Sequence, residues 1–156
     1  MRVAALLRGR WRLVALTSDP GRVGALRQAG LRPIVGDLDD ASTLGRLAGL
    51  ADAVLHLAPP SASGSLDSRT RNLLGALSRR GRLRCLVYAS TSGVYGDCGG
   101  ALIDETRRVA PATERAKRRV DAEARLRWFG RAFAVRVSLL RIPGIYAGDR
   151  PGGHPR

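Results

Sequence analysis

The sequence predicts an α/β domain built on a parallel sheet with crossover helices, and three observations carry that reading. Short β-rich runs alternate with helix-periodic stretches along nearly the whole chain, the sign of parallel strands joined by crossover helices. Hydrophobic residues make up 44% of 156 positions, enough for one sizeable core and too few residues for two. The β-rich runs also end in small, polar or glycine-containing turns, the places where open parallel sheets bind ligands.

Taken in order, residues 3–7 read as the end of a helix closed at Gly9, and residues 13–16 as a strand. A helix opens near Pro20, with proline in its first turn, and stops at Gly30. Residues 32–36 form the next strand, after which Asp39 or Asp40 caps a short helix carrying Leu44 and Leu47 on one face. A strand over 53–57 is stopped by Pro59-Pro60, and 61–65 is a small-residue loop. Leu66, Thr70, Leu73, Leu74 and Leu77 recur at helical spacing and predict an amphipathic helix over 66–80. Residues 83–89 form a fourth strand, 111–129 a helix and 135–140 a fifth strand. The expected organisation is one domain over 1–147 and an irregular tail of Gly, Pro and Arg over 148–156.

The formal net charge is +14, and Lys117 is the sole lysine, so arginine supplies nearly all of the positive charge. The arginines are scattered over every segment with few aromatics to stack on bases, which reads as a solvated surface rather than a nucleic-acid interface. Cys85 and Cys98 show no metal-ligand spacing, no metal is expected, and a cytoplasmic location fits them best. No apolar run is long enough to span a bilayer, so no membrane partner is expected. His56 in its apolar strand reads as a satisfied core histidine, and Cys85 as a small core residue.

Several short motifs follow one another in a telling order. They are Val35-Gly36-Asp37-Leu38, Leu55-His56-Leu57-Ala58, Tyr88-Ala89-Ser90-Thr91-Ser92-Gly93-Val94-Tyr95-Gly96-Asp97, Asp104-Glu105-Thr106 and Leu140-Arg141-Ile142-Pro143-Gly144-Ile145-Tyr146. Over nearly the whole chain this order resembles the extended short-chain dehydrogenase/reductases, the superfamily of NAD(P)-dependent epimerases and dehydratases. The resemblance implies a Rossmann-type doubly wound sheet that is incomplete here. A complete member opens with a strand and a turn of the form G-x-x-G-x-x-G, whose glycines let the backbone approach the pyrophosphate. Met1 falls within the first helix, so that strand and glycine-rich turn are missing and the chain reads as a fragment. The lost strand would be central in the order 3-2-1-4-5-6, leaving unpaired edges in the middle of the core.

The resemblance also implies chemistry. In the family a Ser or Thr, a Tyr and a Lys cooperate, the last two spaced Y-x-x-x-K on one helix face. The lysine's charge favours the phenolate, which makes the tyrosine a usable acid or base near neutral pH. Aligned on Pro111-Ala112-Thr113-Glu114-Arg115-Ala116-Lys117, the pattern places Lys117 correctly and Thr113 where tyrosine belongs. An aliphatic hydroxyl is a far weaker acid, and Tyr95 is the substitute on offer, although packing is the blander reading of it. Thr91 takes the position that orients the substrate oxygen, or else serves to structure its loop.

Cofactor contacts implied by the resemblance are Asp37 and Leu38 at the adenine, Leu57, Ala58 and Pro59 along the dinucleotide, and Lys117 at the nicotinamide ribose. Ile142, Pro143 and Gly144 would face the nicotinamide. After the strand over 13–16, Thr17 and Ser18 are neutral hydroxyls with Arg22 close by, which favours NADP, while Asp19 keeps NAD open. The expected function is that of an NAD(P)-dependent oxidoreductase or epimerase/dehydratase moving hydride at a carbinol or carbonyl of a small molecule, with this chain an inactive fragment of it. The alternatives are a dinucleotide-binding regulator without turnover and, behind it, a basic nucleic-acid-binding module. Relatives pair through helices matching 66–80 and 111–129, so a homodimer through them is a further expectation.

Overall fold

A computed structural model of the chain describes residues 2–144; Ile145, Tyr146 and the tail expected over 148–156 lie outside the described residues. Among the described residues five strands form, and every pairing among them is parallel. β1 (Val14–Thr17), β2 (Arg32–Val35) and β3 (Ala53–His56) are four residues each, whereas β4 (Cys85–Thr91) and β5 (Arg136–Ile142) run to seven. The helices are α1 (Arg2–Leu7), α2 (Val23–Gln28), α3 (Ser68–Leu77) and α4 (Glu114–Ala132). Turns of 3-10 helix lie at Pro20–Arg22, Ala41–Leu47 and Ser92–Tyr95.

The strands do not make one sheet. β1 pairs with β2, and β3, β4 and β5 pair in that order, with no pairing between β1 and β3. The break falls where the missing strand was expected. Between the two sheets lies an apolar cleft of about 280 Å³, lined by all four residues of β1, by Leu55 and Leu57 of the β3 segment, and by Val3, Ala4 and Leu7 of α1. Leu55 and Leu57 are 45% and 50% exposed there, although their neighbour His56, pointing to the other face, is buried.

Opposite that cleft one hydrophobic core joins the two sheets. Ile34 of β2, Leu44 and Leu47 of the 3-10 turn, and Leu73, Leu74, Ala76 and Leu77 of α3 pack with Leu86 and Tyr88 of β4. Ala122, Leu126 and Phe129 of α4, with Val135 just before β5, complete it. α1 and α2 contribute none of these residues. The helices therefore hold the halves together where the strands do not.

The local signals explain the boundaries. Asp67 accepts from the backbone amides of Arg69 and Thr70, which starts α3 at Ser68 and shortens the helix expected over 66–80. Leu66 lies before this cap and is 54% exposed, so it is not part of the buried face. The helix expected over 111–129 begins at Glu114, because Thr113 accepts from the amide of Ala116 as its N-cap, and it continues to Ala132. Asp40 caps the segment carrying Leu44 and Leu47, and both leucines are buried as their spacing required; the segment is a 3-10 helix. β4 extends past the expected end at Ala89 to include Ser90 and Thr91, through pairing with Arg141 and Ile142.

Candidate functional site

The ends of the strands bring the expected dinucleotide contacts to one edge. Thr17 is the last residue of β1, and Asp37 and Leu38 follow β2. Leu57, Ala58 and Pro59 follow β3, Thr91 ends β4, and Ile142 ends β5 directly before Pro143 and Gly144. Arg69 of α3 ties this edge across the break. Its guanidinium donates to both carboxylate oxygens of Asp39, at 2.8 and 2.6 Å, and to the carbonyl of Pro59 at 3.4 Å. That hydrogen bond and charge hold the Asp39 carboxyl below its ordinary pKa. Asn72, one turn further on, donates to the carbonyl of Leu38 at 2.9 Å. Neither Arg69 nor Asn72 was legible as a site residue, because their partners lie 30 and 34 positions away.

At the β1 end, Thr17 Oγ1 accepts from the amide of Asp19 at 3.2 Å, and Asp19 accepts from the amide of Gly21 at 2.8 Å. The only acidic side chain of this turn is thus committed to capping the 3-10 turn, whereas Ser18 and Arg22 are exposed. At the β2 end, Asp37 accepts from the amide of Asp39 and its own amide donates to Thr43.

The most ordered chemistry lies around the β4 end, and its centre was not predicted. Glu123 of α4 is 1% exposed and accepts from Ser90 Oγ at 2.7 Å, from Arg141 Nη2 at 2.8 Å and from Arg127 at 3.0 Å. Burial alone would raise this carboxyl, but the hydrogen bonds from Arg141 and Ser90 outweigh it, so its pKa lies below the ordinary value. The same interaction with Glu123 raises the pKa of Arg141. Arg141 donates in turn to the Tyr95 hydroxyl at 2.9 Å and stacks over that ring, 4.8 Å from its centroid. Tyr95 is 6% exposed, so its phenol is held in a buried network rather than presented to an open site.

The other expected catalytic residues occupy simpler places. Thr91 accepts from the amide of Gly93 at 3.2 Å and so opens the 3-10 turn Ser92–Tyr95. Thr113 is engaged as the N-cap of α4, and Lys117 is exposed, donating to Glu114 at 2.7 Å. Among the described residues no hydrogen bond links Thr91, Tyr95, Thr113 and Lys117 to one another.

A second buried polar cluster sits beneath. His56 is 4% exposed and its Nε2 lies 2.9 Å from Thr70 Oγ1, whose proton goes to Asp67 at 2.7 Å. The threonine can then only accept from the ring, which assigns the Nε2–H tautomer. His56 is a satisfied core histidine, as its apolar strand suggested, and burial holds its pKa down to about 4. Arg119 donates to the Tyr88 hydroxyl at 2.9 Å and to the carbonyl of Ala89 at 2.6 Å. Burial pushes the Tyr88 phenol up to about 12. Arg118 and Arg119 are each 7% exposed, so this doublet, which composition assigned to the solvated surface, belongs to the interior. Among the described residues no cluster of His, Cys, Asp or Glu is placed to hold a metal, and no helix is long and apolar enough to cross a membrane.

As a test of fit to a dinucleotide, the two ends of the edge suit it and the middle does not. Exposed hydroxyls and Arg22 lie at the β1 end, and open backbone lies at Pro143 and Gly144. Among the described residues, the cleft between β1 and β3 is lined by apolar side chains with Thr17 and Arg22, and no glycine stands among its walls to bring a turn of backbone against a pyrophosphate.

Parallel strands with flanking helices define a Rossmann-like α/β protein. The family model described as NAD(P)H-binding matches residues 2–130, and the chain belongs to that family. Among solved structures, it resembles a candidate epimerase from Burkholderia cenocepacia J2315 at 25% identity and a TM-score of 0.75, covering 94% of this chain and 51% of that one. RMD from Pseudomonas aeruginosa, complexed with NADPH, is similar at 27% identity and TM-score 0.68, with 90% and 56% covered. UDP-glucuronic acid 4-epimerase from Bacillus cereus, in complex with NAD, shares the fold at 22% identity and TM-score 0.75, with 95% and 53% covered. The chain spans about half the length of these structures. No curated protein matches it significantly.

Proposed function

We propose that the chain supplies dinucleotide-binding parts of an NAD(P)-dependent oxidoreductase or epimerase/dehydratase acting at a carbinol or carbonyl of a small molecule. The observation that carries this reading is the convergence of Thr17, Asp37, Leu57, Thr91 and Ile142 on the carboxyl edge, drawn from five separate strands or their ends. A bound nicotinamide would supply or accept the hydride. Thr17, Ser18 and Arg22 would meet the adenosine ribose, with Asp37 and Leu38 near the adenine and Leu57, Ala58 and Pro59 along the dinucleotide. Ile142, Pro143, Gly144 and Lys117 would hold the nicotinamide end. NADP is favoured over NAD, since Asp19 is turned to its own cap while Arg22 is exposed to a 2′-phosphate. Thr91 would orient the substrate oxygen, and Tyr95, the substitute proton donor, would have to leave its buried contact with Arg141 to act. A cytoplasmic location accords with this reading, as does a homodimer through α3 and α4, where Trp128 is 59% exposed.

One observation favours a second reading, binding without turnover. Thr113, at the position where the resemblance expects the acidic tyrosine, is committed to capping α4. Both readings need dinucleotide binding, which a thermal melt by circular dichroism, with and without saturating NADPH or NADH, tests. Ligand at about one hundred times its dissociation constant adds about 2.7 kcal/mol to a folded binder. An upward shift larger with NADPH than with NADH is expected. A cooperative melt indifferent to both nucleotides would sink the binding assignment for this chain.

A further inference from the structure

A second cleft among the described residues lies away from the carboxyl edge. It encloses about 580 Å³ and is lined by Arg32, Arg46, Arg79 and Arg80 around Pro33, Ile34, Ala48 and Leu50, with no acidic residue among its walls. Arg32 is the first residue of β2, and Arg79 and Arg80 follow the C-terminus of α3, so the cleft opens at the amino ends of the strands. This is the opposite side of the sheet from the proposed dinucleotide contacts.

What sets these arginines apart from the charge spread over the rest of the surface is that four of them line one cleft that has no acidic wall. Arg69, Arg82, Arg125, Arg127 and Arg141 each pair with a carboxylate; among the described residues these four do not, a property they share with other surface arginines such as Arg108 and Arg131. Four like charges around one cavity repel one another unless an anion joins them. Gly49 also lets one of them lie close to the backbone: a Cβ there would stand 3.1 Å from the Arg80 Cβ and 3.2 Å from its Cδ. Arginines just beyond a helix C-terminus also favour its dipole, which accounts for Arg79 and Arg80 but not for Arg32 or Arg46.

We propose that this cleft binds a multiply phosphorylated small molecule, the four guanidinium groups taking its phosphates and Pro33, Ile34 and Leu50 its apolar part. The guanidinium fork matches phosphate oxygens in pairs, and the volume falls within the range of small-ligand pockets. The site is independent of the dinucleotide edge and stands or falls apart from the function proposed above.

Isothermal titration calorimetry with ATP and with inorganic tripolyphosphate, at physiological ionic strength, tests it. Both probes should bind, ATP more tightly. The variant Arg79→Ser/Arg80→Ser should weaken both by at least about tenfold, from lost charge-assisted hydrogen bonds. Arg108→Ser/Arg131→Ser removes the same charge from exposed positions outside the cleft and should change affinity by less than about twofold. Arg32→Ser/Arg46→Ser, from different elements, should repeat the loss and guards against a folding defect in the first variant. Equal weakening by the control pair would reduce the effect to the attraction of a +14 chain for any anion and overturn the proposal. Undiminished binding in both cleft variants would place the anion elsewhere, the dinucleotide edge included. A DNA duplex held through these arginines where ATP is not would also overturn it.

Discussion

The two sheets of this molecule are built from similar sequence and differ in what surrounds them. β3, β4 and β5 are covered by α3 and α4, and their interior holds two satisfied polar clusters, Glu123 with Ser90 and Arg141, and His56 with Thr70 and Asp67. β1 and β2 have a central edge that meets only an apolar cleft, and α1 beside it buries none of Val3, Leu6 and Leu7 fully. A strand with Val, Ala, Leu and Thr is no more stable than its neighbours allow. The stability of the parallel sheet is therefore expected to be concentrated on the β4 side, where both edges of the central strand are paired.

The sharpest way to break this comparison is to remove the Glu123 carboxylate. Glu123→Ala leaves Arg141 buried without its partner and should cost about 3–5 kcal/mol in urea denaturation. A loss under about 1 kcal/mol would mean that the β4 side is not the stable half. Next, Leu126→Ala, at a fully buried position of α4, should cost about 2–5 kcal/mol, while Leu7→Ala beside the cleft should cost less than about 1. Equal losses at the two positions would erase the distinction.

The third prediction concerns acid. The folded pKa of His56 is held down to about 4 against an ordinary 6.5, so below pH 6.5 the unfolded chain takes up a proton that the folded chain refuses. Stability is lost progressively from pH 6.5 towards pH 4, by about 3 kcal/mol at the low end as an order of magnitude. His56→Gln should flatten this part of the pH profile of the melting temperature, and an unchanged slope would remove His56 as its source. The smallest effect should be seen by hydrogen exchange without any substitution. Amides of β4 should exchange slowest and those of α1 fastest, and comparable protection in β1 and β4 would show that α3 and the shared core couple the halves fully.

Much of the fold was legible because its signals are local. Gly9 and Gly30 end their helices with φ of +79° and +75°, Asp40 caps its turn, and the run around Leu73, Leu74 and Leu77 buries one face. The break in the sheet was legible as well, since the resemblance expects a further strand between β1 and β3. What failed did so at caps. Asp67 and Thr113 start α3 and α4 later than hydrophobic spacing suggested, because a side-chain oxygen that takes the first free amides overrides periodicity at a boundary.

The candidate site divides the same way. Residues next to strand ends, such as Thr17, Asp37, Leu57 and Thr91, were named correctly as lying on one edge, since adjacency to a strand is a local property. Glu123, Arg141, Arg119 and Arg69 were not, because nothing in the neighbourhood of an arginine tells whether its partner lies 18 or 31 positions away. By itself the sequence determined the alternation of strands and helices, the parallel class and the strand-end positions, all of which follow from periodicity and short-range chemistry. Only the tertiary structure decided which charges are buried and which four arginines line one cleft, because burial and pairing are properties of residues distant in the chain brought within hydrogen-bond reach.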